Sequence, residues 1–277
     1  MTEARAAVAA LHRYPVKSML GEQLTAADVT ARGITGDRAL ALHDTATGRI
    51  ASAKHPRRWQ RLLTLTATTD DTGVRITGPG LDTHSTDPTA SKALSELLGR
   101  DVTLTTTPPA QARLDRADPD AVLRHGLTDD TPLTVSELGT GAPPGTFFDF
   151  APLHLITTGT LDTITALHPH QPAAARRYRP NIVIDTRTGG FPEDEWPGRE
   201  LRIGADLVLR VIAGTPRCAI PTLAHGDLPR DTGALRVLAD HHRIVPLPGL
   251  GPQPCAGVYA QVVQPGRIQP GDTVRPA

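Results

Sequence analysis

The chain has 277 residues and carries 29 basic and 29 acidic side chains, so its formal net charge is zero. This balance excludes a strong field that would attract nucleic acid or an anionic membrane. No apolar run approaches the roughly 18 residues needed to span a bilayer, and the first residues lack a signal-peptide pattern. Two cysteines make no disulfide framework. We therefore expect a cytoplasmic protein with no nucleic-acid or membrane partner.

The N-terminal third of the chain shows short strand patterns about ten residues apart. They lie at 8–14, 39–43, 62–67 and 102–105, with glycine- and aspartate-rich turns between them. This spacing favours a small barrel or sandwich over alternating strands and helices. A helix is predicted over 89–98, where three leucines share a face and Gly99 supplies the stop.

The middle of the chain differs from its two ends. Residues 106–146 contain many prolines and glycines without sustained periodicity, which predicts a long connection that covers a site or carries short helices. A second region opens at Phe147, with a helix over 158–168 and strands at 181–184, 201–203, 207–213, 259–263 and 273–274. The sequence thus predicts a mostly β protein with a few helices, divided into 1–105, 106–146 and 147–277.

Cys218 is the residue with the clearest chemical potential. The β-branched run 207–213 predicts a buried strand, and Gly214-Thr215-Pro216 is expected to end it, so Cys218 falls on the loop that follows. Arg217 would stabilise the thiolate, which is the form in which a cysteine acts as a nucleophile, a sulfur carrier or a metal ligand. A buried structural thiol is the alternative at this point. Cys255 has no cationic sequence neighbour and is interpreted as a structural or loop thiol.

Five segments together resemble the MOSC superfamily, which is named after the C-terminal domain of molybdenum-cofactor sulfurase. Residues 14–18 (YPVKS) and 36–39 (GDRA) are similar to the N-terminal β-barrel domain that precedes MOSC domains. Residues 178–183 (YRPNIV), the Arg217-Cys218 pair and residues 271–274 (GDTV) are similar to the MOSC domain itself. The resemblance implies a small N-terminal β-barrel-like domain packed on a β-barrel MOSC domain.

The resemblance is to the branch that includes the mitochondrial amidoxime-reducing component and its bacterial relatives. It implies a molybdenum-cofactor oxidoreductase that reduces N-hydroxylated small molecules, takes electrons from a separate donor protein and uses Cys218 as catalytic residue and molybdenum ligand. Pyridoxal phosphate is not expected. The residues that match cofactor-binding positions, or belong to the same motifs, are Lys17, Ser18, Arg38, Lys54, Thr157, Arg179, Asn181 and Arg217.

Two departures from the family pattern leave other functions open. Ser52-Ala53-Lys54 stands where relatives have Thr-x-Arg, and the segment 222–229 after Cys218 is altered. A sulfur carrier or transferase with a Cys218 persulfide, a cofactor-binding module, and a specialised biosynthetic enzyme without molybdenum are the alternatives. His225 is interpreted as a solvated loop histidine with an acid or base role as alternative, and His241-His242 as a surface helix end.

Overall fold

The computed structural model describes residues 6–128 and 130–277. Its helices are α1 (Pro56–Trp59), α2 (Ala90–Leu98), α3 (Pro119–His125), α4 (Thr158–Leu167), α5 (Ala175–Tyr178) and α6 (Gly233–His241). The strands before the middle of the chain are β1 (Ala6–Arg13), β2 (Glu22–Leu24), β3 (Ala27–Thr30), β4 (Gly33–Ile34), β5 (Ala41–Asp44), β6 (Arg49–Ile50), β7 (Thr66–Thr69), β8 (Val74–Gly78), β9 (Leu81–His84), β10 (Val102–Thr105), β11 (Arg113–Ala117) and β12 (Leu133–Glu137). The later strands are β13 (Leu153–Thr157), β14 (Ile182–Asp185), β15 (Glu200–Ile203), β16 (Leu207–Pro216), β17 (Arg243–Ile244), β18 (Gln253–Gln264), β19 (Gly266–Ile268) and β20 (Thr273–Pro276).

Seven strands close into a barrel in the order β13-β14-β1-β20-β15-β16-β18, and β18 pairs back onto β13. All of these pairings are antiparallel except that of β13 with β14. The inward-facing residues are mostly aliphatic and include Leu11, Leu155, Ile182 and Leu209, all fully buried. Period-two alternation of such side chains is what fills a small barrel, so the mostly β fold class is confirmed.

The first strand of the chain belongs to this C-terminal barrel. β1 pairs with β14 on one side and with β20 on the other. The chain then leaves the barrel near Tyr14 and builds the N-terminal region. The two regions are therefore joined by a shared strand as well as by packing, which fixes their relative position.

The N-terminal region has its own core beneath two three-stranded sheets, β10-β5-β6 and β7-β8-β9. Met19, Trp59, Leu62 and Leu94 are buried together in it. Helix α2 covers this core and ends at Gly99, whose φ of +65° gives the left-handed turn that glycine adopts without strain.

The structure confirms the predicted helices at 89–98 and 158–168 as α2 and α4. The predicted strand at 62–67 is wrong in its first half, because residues 60–64 form a 3-10 helix and β7 begins at Thr66. Strand β16 also runs on to Pro216 instead of ending before Gly214, and irregularities in its register with β18 absorb the glycine and the proline.

The segment 106–146 contains more structure than the sequence predicted. Strands β11 and β12 pair as an antiparallel ladder, and α3 lies between them. Helix α3 begins after Asp118, whose side chain accepts a hydrogen bond from the amide of Ala121 at 2.7 Å. The backbone amide of Ala117 donates to the carbonyl of Lys54 at 2.8 Å, which joins this segment to the N-terminal region.

Candidate functional site

A cleft of about 80 Å³ opens where the N-terminal region meets the barrel. Its walls come from many distant segments: the turn after β1, the loop before α1, β11, the segment before β13, the segment around α5 and the loop after β16. The lining side chains are Lys17, Ser18, Arg38, Lys54, Arg116, Phe147, Phe148, Asp149, Ala151, His154, Tyr178, Arg179, Asn181, Pro216, Arg217, Cys218, Ile220 and Tyr259. Six of them are cationic and one is acidic, so the cleft concentrates positive charge in a chain without net charge.

Cys218 lies on the loop after β16, as the sequence predicted, and it lines the cleft. Its residue exposure is only 7%, because Ala53, Leu63, Ile220 and Leu223 form an apolar cluster with it. Its thiol is free of any disulfide. Cys218 is therefore buried in an apolar cluster and also lines the cleft. It has features of both a structural thiol and a reactive thiol, the two interpretations that the sequence left open.

Lys17 and Lys54 share one counter-ion. Their ammonium groups lie 2.7 Å and 3.1 Å from the two carboxylate oxygens of Asp149, and Lys17 also donates to the carbonyl of Phe147 at 2.7 Å. Burial lowers the pKa of Lys17 to about 8 and also lowers the pKa of Lys54, against the opposing effect of Asp149. The two lysines hold the pKa of Asp149 well below its usual range although burial acts the other way. The three groups form a charged clasp across the cleft.

Arg38 and Arg179 pack on the ring of Tyr14, with guanidinium carbons 4.5 Å and 4.3 Å from its centroid. Arg38 pairs with Asp37, and Asn181 donates to the same carboxylate at 2.9 Å. Arg179 donates to the carbonyl of Met19 at 2.8 Å. Burial and the charge of Arg38 lower the pKa of Arg179 to about 10, which still leaves it cationic near neutral pH. Tyr14 thus holds both cations, and Asp37 also holds Arg38.

Arg217 is held by one group from α5 and one from β13. Its Nη2 donates to the carbonyl of Tyr178 at 2.7 Å, and its Nη1 lies 3.4 Å from Nε2 of His154. Burial, and then the charge of Arg217, lower the pKa of His154 well below its usual value, so this imidazole is neutral and can accept a hydrogen bond. The Nε of Arg217 is buried without a hydrogen-bond partner among the described residues. This orphaned donor has capacity for a further acceptor.

The backbone of the cleft is strained at three positions. Ser18, Arg38 and Arg179 have φ values of +65°, +48° and +56°, in the left-handed region that costs a non-glycine residue about 1 kcal/mol or more. The other two non-glycine residues of this kind in the described chain, Gln111 and Arg187, lie outside the cleft. Backbone strain at three residues that line the cleft indicates that the orientation of their side chains is maintained at a cost in local stability.

The structure brings together eight of the nine residues that the sequence selected. Thr157 is the exception. It is the N-cap of α4, where its hydroxyl accepts from the amide of Thr160 and bonds to the buried carboxylate of Glu193 at 2.5 Å. The residues that the sequence missed are Arg116, Asp149, His154 and Tyr259. None of them belongs to a motif. Arg116 lies in the segment 106–146, which was predicted to cover a site or carry short helices, and the other three had no sequence signal.

The other histidines and the second cysteine lie outside the cleft. His225 is fully buried and not solvated: its Nδ1 lies 2.9 Å from the carbonyl of Leu223, and burial lowers its pKa to about 4. His241 is exposed at the end of α6, as predicted, whereas His242 is 8% exposed. Cys255 lies within β18 and not on a loop, and burial raises the pKa of its thiol to about 12.

Comparison with known proteins places the chain in a family. Residues 5–113 match the MOSC N-terminal beta barrel domain, and residues 143–275 match the MOSC domain. The chain belongs to the MOSC superfamily. Among curated proteins, the search found no match to this MOSC protein. None of the helices in its described residues is long and apolar enough to cross a membrane.

Several solved structures resemble this MOSC protein at low identity. The YuaD protein from Bacillus subtilis is 12% identical, with 97% of this chain and 93% of that chain covered and a TM-score of 0.45. YiiM from Geobacillus stearothermophilus is 15% identical over 59% and 72% of the two chains, with a TM-score of 0.34. YiiM from Escherichia coli is 15% identical over 46% and 54%, with a TM-score of 0.33. At these values the likenesses carry no argument about activity.

The donor set of the cleft fits a phosphorylated ligand that carries a soft metal. A thiolate is a soft ligand, and the lysines and arginines beside it suit phosphate oxygens. The orphaned Nε of Arg217 points to the same need for an acceptor. The volume of the cleft is about 80 Å³, and Asp149 with the two lysines lines it beside Cys218.

Proposed function

We propose that this MOSC protein binds a molybdenum–pterin cofactor in the cleft and reduces N-hydroxylated small molecules. The observation that carries the proposal is the convergence of Cys218 with six cationic side chains in a protein whose net charge is zero. Family membership supports the cofactor, because molybdenum-cofactor sulfurase gives the superfamily its name. The substrate class rests on the resemblance to the amidoxime-reducing branch.

The proposal assigns roles to the cysteine and to several polar and cationic residues of the cleft. Cys218 would supply the thiolate ligand to molybdenum, and metal binding would itself remove the thiol proton. Lys17, Lys54 and Arg179 would hold the phosphate, and Ser18 would hydrogen-bond the pterin. The side-chain amide of Asn181 already makes four hydrogen bonds within the protein, so it would position Arg38. When bound, the cofactor would supply the redox centre that passes electrons to the substrate.

The remaining contacts orient this set. Arg38 is fixed by Asp37, and Arg217 is fixed by the carbonyl of Tyr178. Because both side chains are already ordered, little conformational entropy is lost when the cofactor binds. Thr157 has no place in the proposed site because its hydroxyl is bonded to Glu193.

The reduction consumes two electrons and two protons. The N–O bond of the substrate breaks, the nitrogen gains a hydrogen, and the oxygen leaves as water. Tyr259 lines the cleft, and burial raises the pKa of its hydroxyl to about 12, so it stays protonated at neutral pH and can donate a hydrogen bond to the departing oxygen. The electrons come from a separate protein. With only two cysteines, the chain lacks the four thiolates of a typical iron–sulfur cluster.

The test is purification from a host that makes the cofactor. We expect close to one molybdenum per chain by elemental analysis, a pterin fluorescence signal after oxidation, and turnover of an aromatic amidoxime with a chemical reductant. A protein free of both molybdenum and pterin contradicts the proposal. Cofactor binding without turnover of amidoximes or hydroxylamines would make it a cofactor-binding module.

One observation favours a second candidate, sulfur transfer through a Cys218 persulfide. The volume of the cleft, about 80 Å³, accommodates one added sulfur atom on Cys218. In this reaction a desulfurase transfers a neutral sulfur to the thiolate of Cys218, and the persulfide passes it on to an acceptor thiol. Intact-protein mass spectrometry after incubation with a desulfurase and cysteine tests this, and failure to detect the mass of one extra sulfur on Cys218 contradicts it.

A further inference from the structure

Arg177 on α5 is a cation that the fold buries almost completely. Its exposure is 1%, and its guanidinium is bonded to no carboxylate among the described residues. Asp231 is the carboxylate that acts on it electrostatically, and Asp231 is itself bonded to the ring of His168 and to the amide of Gly233. Because a buried cation is costly unless its donors find acceptors, the partners of this guanidinium indicate what it is used for.

These partners are three backbone carbonyls of one loop, residues 217–229, which we call the Cys218 loop. Nη1 of Arg177 donates to the carbonyls of Pro221 and Leu223 at 3.3 Å and 3.0 Å. Nη2 donates to the carbonyl of Pro229 at 2.7 Å. Nε is buried without a partner among the described residues, so the described hydrogen bonds of this side chain all go to one loop. A planar guanidinium presents its donors as a fork, an arrangement that the single ammonium of a lysine does not reproduce.

The carbonyl of Leu223 connects Arg177 to the sulfur. The side chain of Leu223 packs in the same apolar cluster as Cys218, together with Ile220. The amide of Leu223 donates to the carbonyl of Ile220 at 3.0 Å, which closes the 3-10 turn that follows the cysteine. Arg177 therefore holds the backbone at a residue whose side chain forms part of the packing around Cys218.

Helix α5 also holds the loop on the other side of Cys218. The carbonyl of Tyr178 accepts from Nη2 of Arg217 at 2.7 Å. The amide of Arg217 donates to the carbonyl of Pro254 on β18 at 2.8 Å. Two consecutive residues of α5 therefore bond to the loop after and before the cysteine, and the next residue, Arg179, lines the cleft. One short element thus holds both the sulfur and a cation of the cleft.

The neighbouring Arg176 binds the same loop in a different way. Its guanidinium pairs with the two carboxylate oxygens of Asp227 at 2.6 Å and 2.8 Å, and the two side chains are 44% and 75% exposed. An exposed ion pair of this kind contributes little to stability, because water and salt screen it. Both arginines reach the Cys218 loop from α5, but of the two it is Arg177 that bonds to the backbone in the interior. Arg176 is therefore a matched control for Arg177.

We propose that Arg177 is a positioning residue that holds the thiol of Cys218 at the wall of the cleft. It acts through the backbone of the Cys218 loop and touches neither cofactor nor substrate, since it does not line the cleft. A residue needed for packing alone could be apolar and would avoid the cost of burying a cation. The inference rests on the proposed function for the ligand role of Cys218, whereas the position of the sulfur can be tested without the metal.

The experiment measures alkylation of the two buried thiols by iodoacetamide in the full-length protein purified without molybdenum. Arg177→Met should raise the rate at Cys218 at least about tenfold, because the loop opens more often without its three hydrogen bonds. Arg177→Lys keeps the charge but lacks the fork, so it should raise this rate about threefold. The control Arg176→Met should leave the rate at Cys218 unchanged. Cys255, buried within β18, should keep its wild-type rate in every variant, and peptide mass spectrometry separates the two sites.

Cys255 distinguishes positioning of the sulfur from a general effect on the fold. A variant that merely destabilises the protein exposes both thiols through unfolding, so parallel rises at Cys218 and Cys255 overturn the inference. Equal rates at Cys218 in wild type and in both Arg177 variants also overturn it, and so does failure of both variants to fold.

A second readout uses the molybdenum-loaded protein. With reduced methyl viologen, Arg177→Lys should lower kcat for amidoxime reduction about tenfold and leave KM within about twofold, because the groups that contact the substrate are unchanged. An unchanged kcat in this variant overturns the inference. A wild type that binds no molybdenum contradicts the proposed function instead, and the alkylation rates then decide whether Arg177 holds the sulfur in place.

Discussion

The barrel interior and the cleft are built by opposite rules. The barrel packs aliphatic side chains from regular strands, and its inward residues are fully buried hydrocarbons such as Leu11 and Leu209. The cleft collects charged side chains from turns and loops, and three of its residues keep left-handed backbones that other side chains avoid. The comparison indicates that packing in the barrel stabilises the fold. This stability offsets the cost of backbone strain and of bringing like charges together in the cleft.

The two cysteines show the same difference at close range. Pro216, two residues before Cys218, pairs in register with Cys255. Both thiols are buried, at 7% and 0% exposure. Cys255 is enclosed by its strand and burial raises its pKa to about 12, whereas Cys218 faces a cleft where it interacts electrostatically with Lys54. Burial alone therefore does not identify a structural thiol.

The largest expected effect separates these two thiols. Cys218→Ser should lower amidoxime turnover by at least about 100-fold. Loss of a residue that only hydrogen-bonds a metal ligand costs up to about 100-fold, and Cys218 is itself a proposed ligand. Cys255→Ser should retain turnover within about threefold, since its thiol lies outside the cleft. Steady-state kinetics with reduced methyl viologen make the comparison, and equal losses in the two variants would contradict the assignment of roles.

The lysines provide a second contrast with a matched control. Two of the three lysines of the chain, Lys17 and Lys54, line the cleft, and the third, Lys92, is exposed on α2. Lys54→Met should weaken binding of pyrophosphate, a probe for the cofactor phosphate, by about tenfold or more because a charged hydrogen bond is lost. Lys92→Met should leave the affinity for pyrophosphate unchanged.

Pyrophosphate binding should also weaken above pH 8, where Lys17 loses its proton. Calorimetry at pH 7 and 9 measures both effects.

Two glycine variants separate the effect of backbone strain on stability from the effect of the side-chain contacts. Arg187→Gly relieves a left-handed residue at an exposed loop and should raise the free energy of unfolding by about 0.5–1 kcal/mol. Arg179→Gly relieves the same strain but removes the bond to the carbonyl of Met19 and the contact with Tyr14, so it should lower stability by about 1–2 kcal/mol. Chemical denaturation of both variants tests this, and a gain of stability in Arg179→Gly would show that its contacts contribute little.

The smallest effect concerns His242, which does not line the cleft. Its ring stacks on Phe191, and its two nitrogens lie 2.8 Å from the carbonyl of Cys255 and 2.6 Å from Asp194. Burial alone would lower its pKa, but these hydrogen bonds outweigh burial and raise it. The stabilisation is therefore complete below the unfolded pKa of about 6.5 and is lost as the pH rises through the folded pKa.

His242→Gln should remove about 1 kcal/mol of stability at pH 6 and much less at pH 9. Urea unfolding of wild type and variant across this range gives the difference. A difference that does not change with pH would mean that the imidazole is neutral in the folded protein.

The sequence predicted individual strands and helix ends well where the information is local, whereas the C-terminal barrel was expected from the family resemblance. The β-branched run at 207–213 specifies a buried strand wherever its partners lie, and the Gly99 stop of α2 depends only on its own conformation. The sequence could not predict that β1 would join the C-terminal barrel, since that depends on pairing with residues more than 170 positions away.

The cleft was predictable only where a motif marked it. Lys17, Arg179 and Cys218 lie in recognisable segments, and the fold brings them together. Asp149 could not be predicted as a site residue. It pairs with two lysines that are 132 and 95 positions away, and no local sequence pattern surrounds it. Thr157 matched a motif position, but its hydroxyl is already engaged as a helix cap.

Molybdenum K-edge X-ray absorption on the loaded protein tests the role of Cys218 most directly. Because the cationic side chains are proposed to hold the phosphate independently, Cys218→Ser should retain enough cofactor for a spectrum. The account predicts that the variant loses one sulfur neighbour of molybdenum relative to wild type, while Cys255→Ser keeps all of them. Identical metal environments in wild type and Cys218→Ser would contradict it.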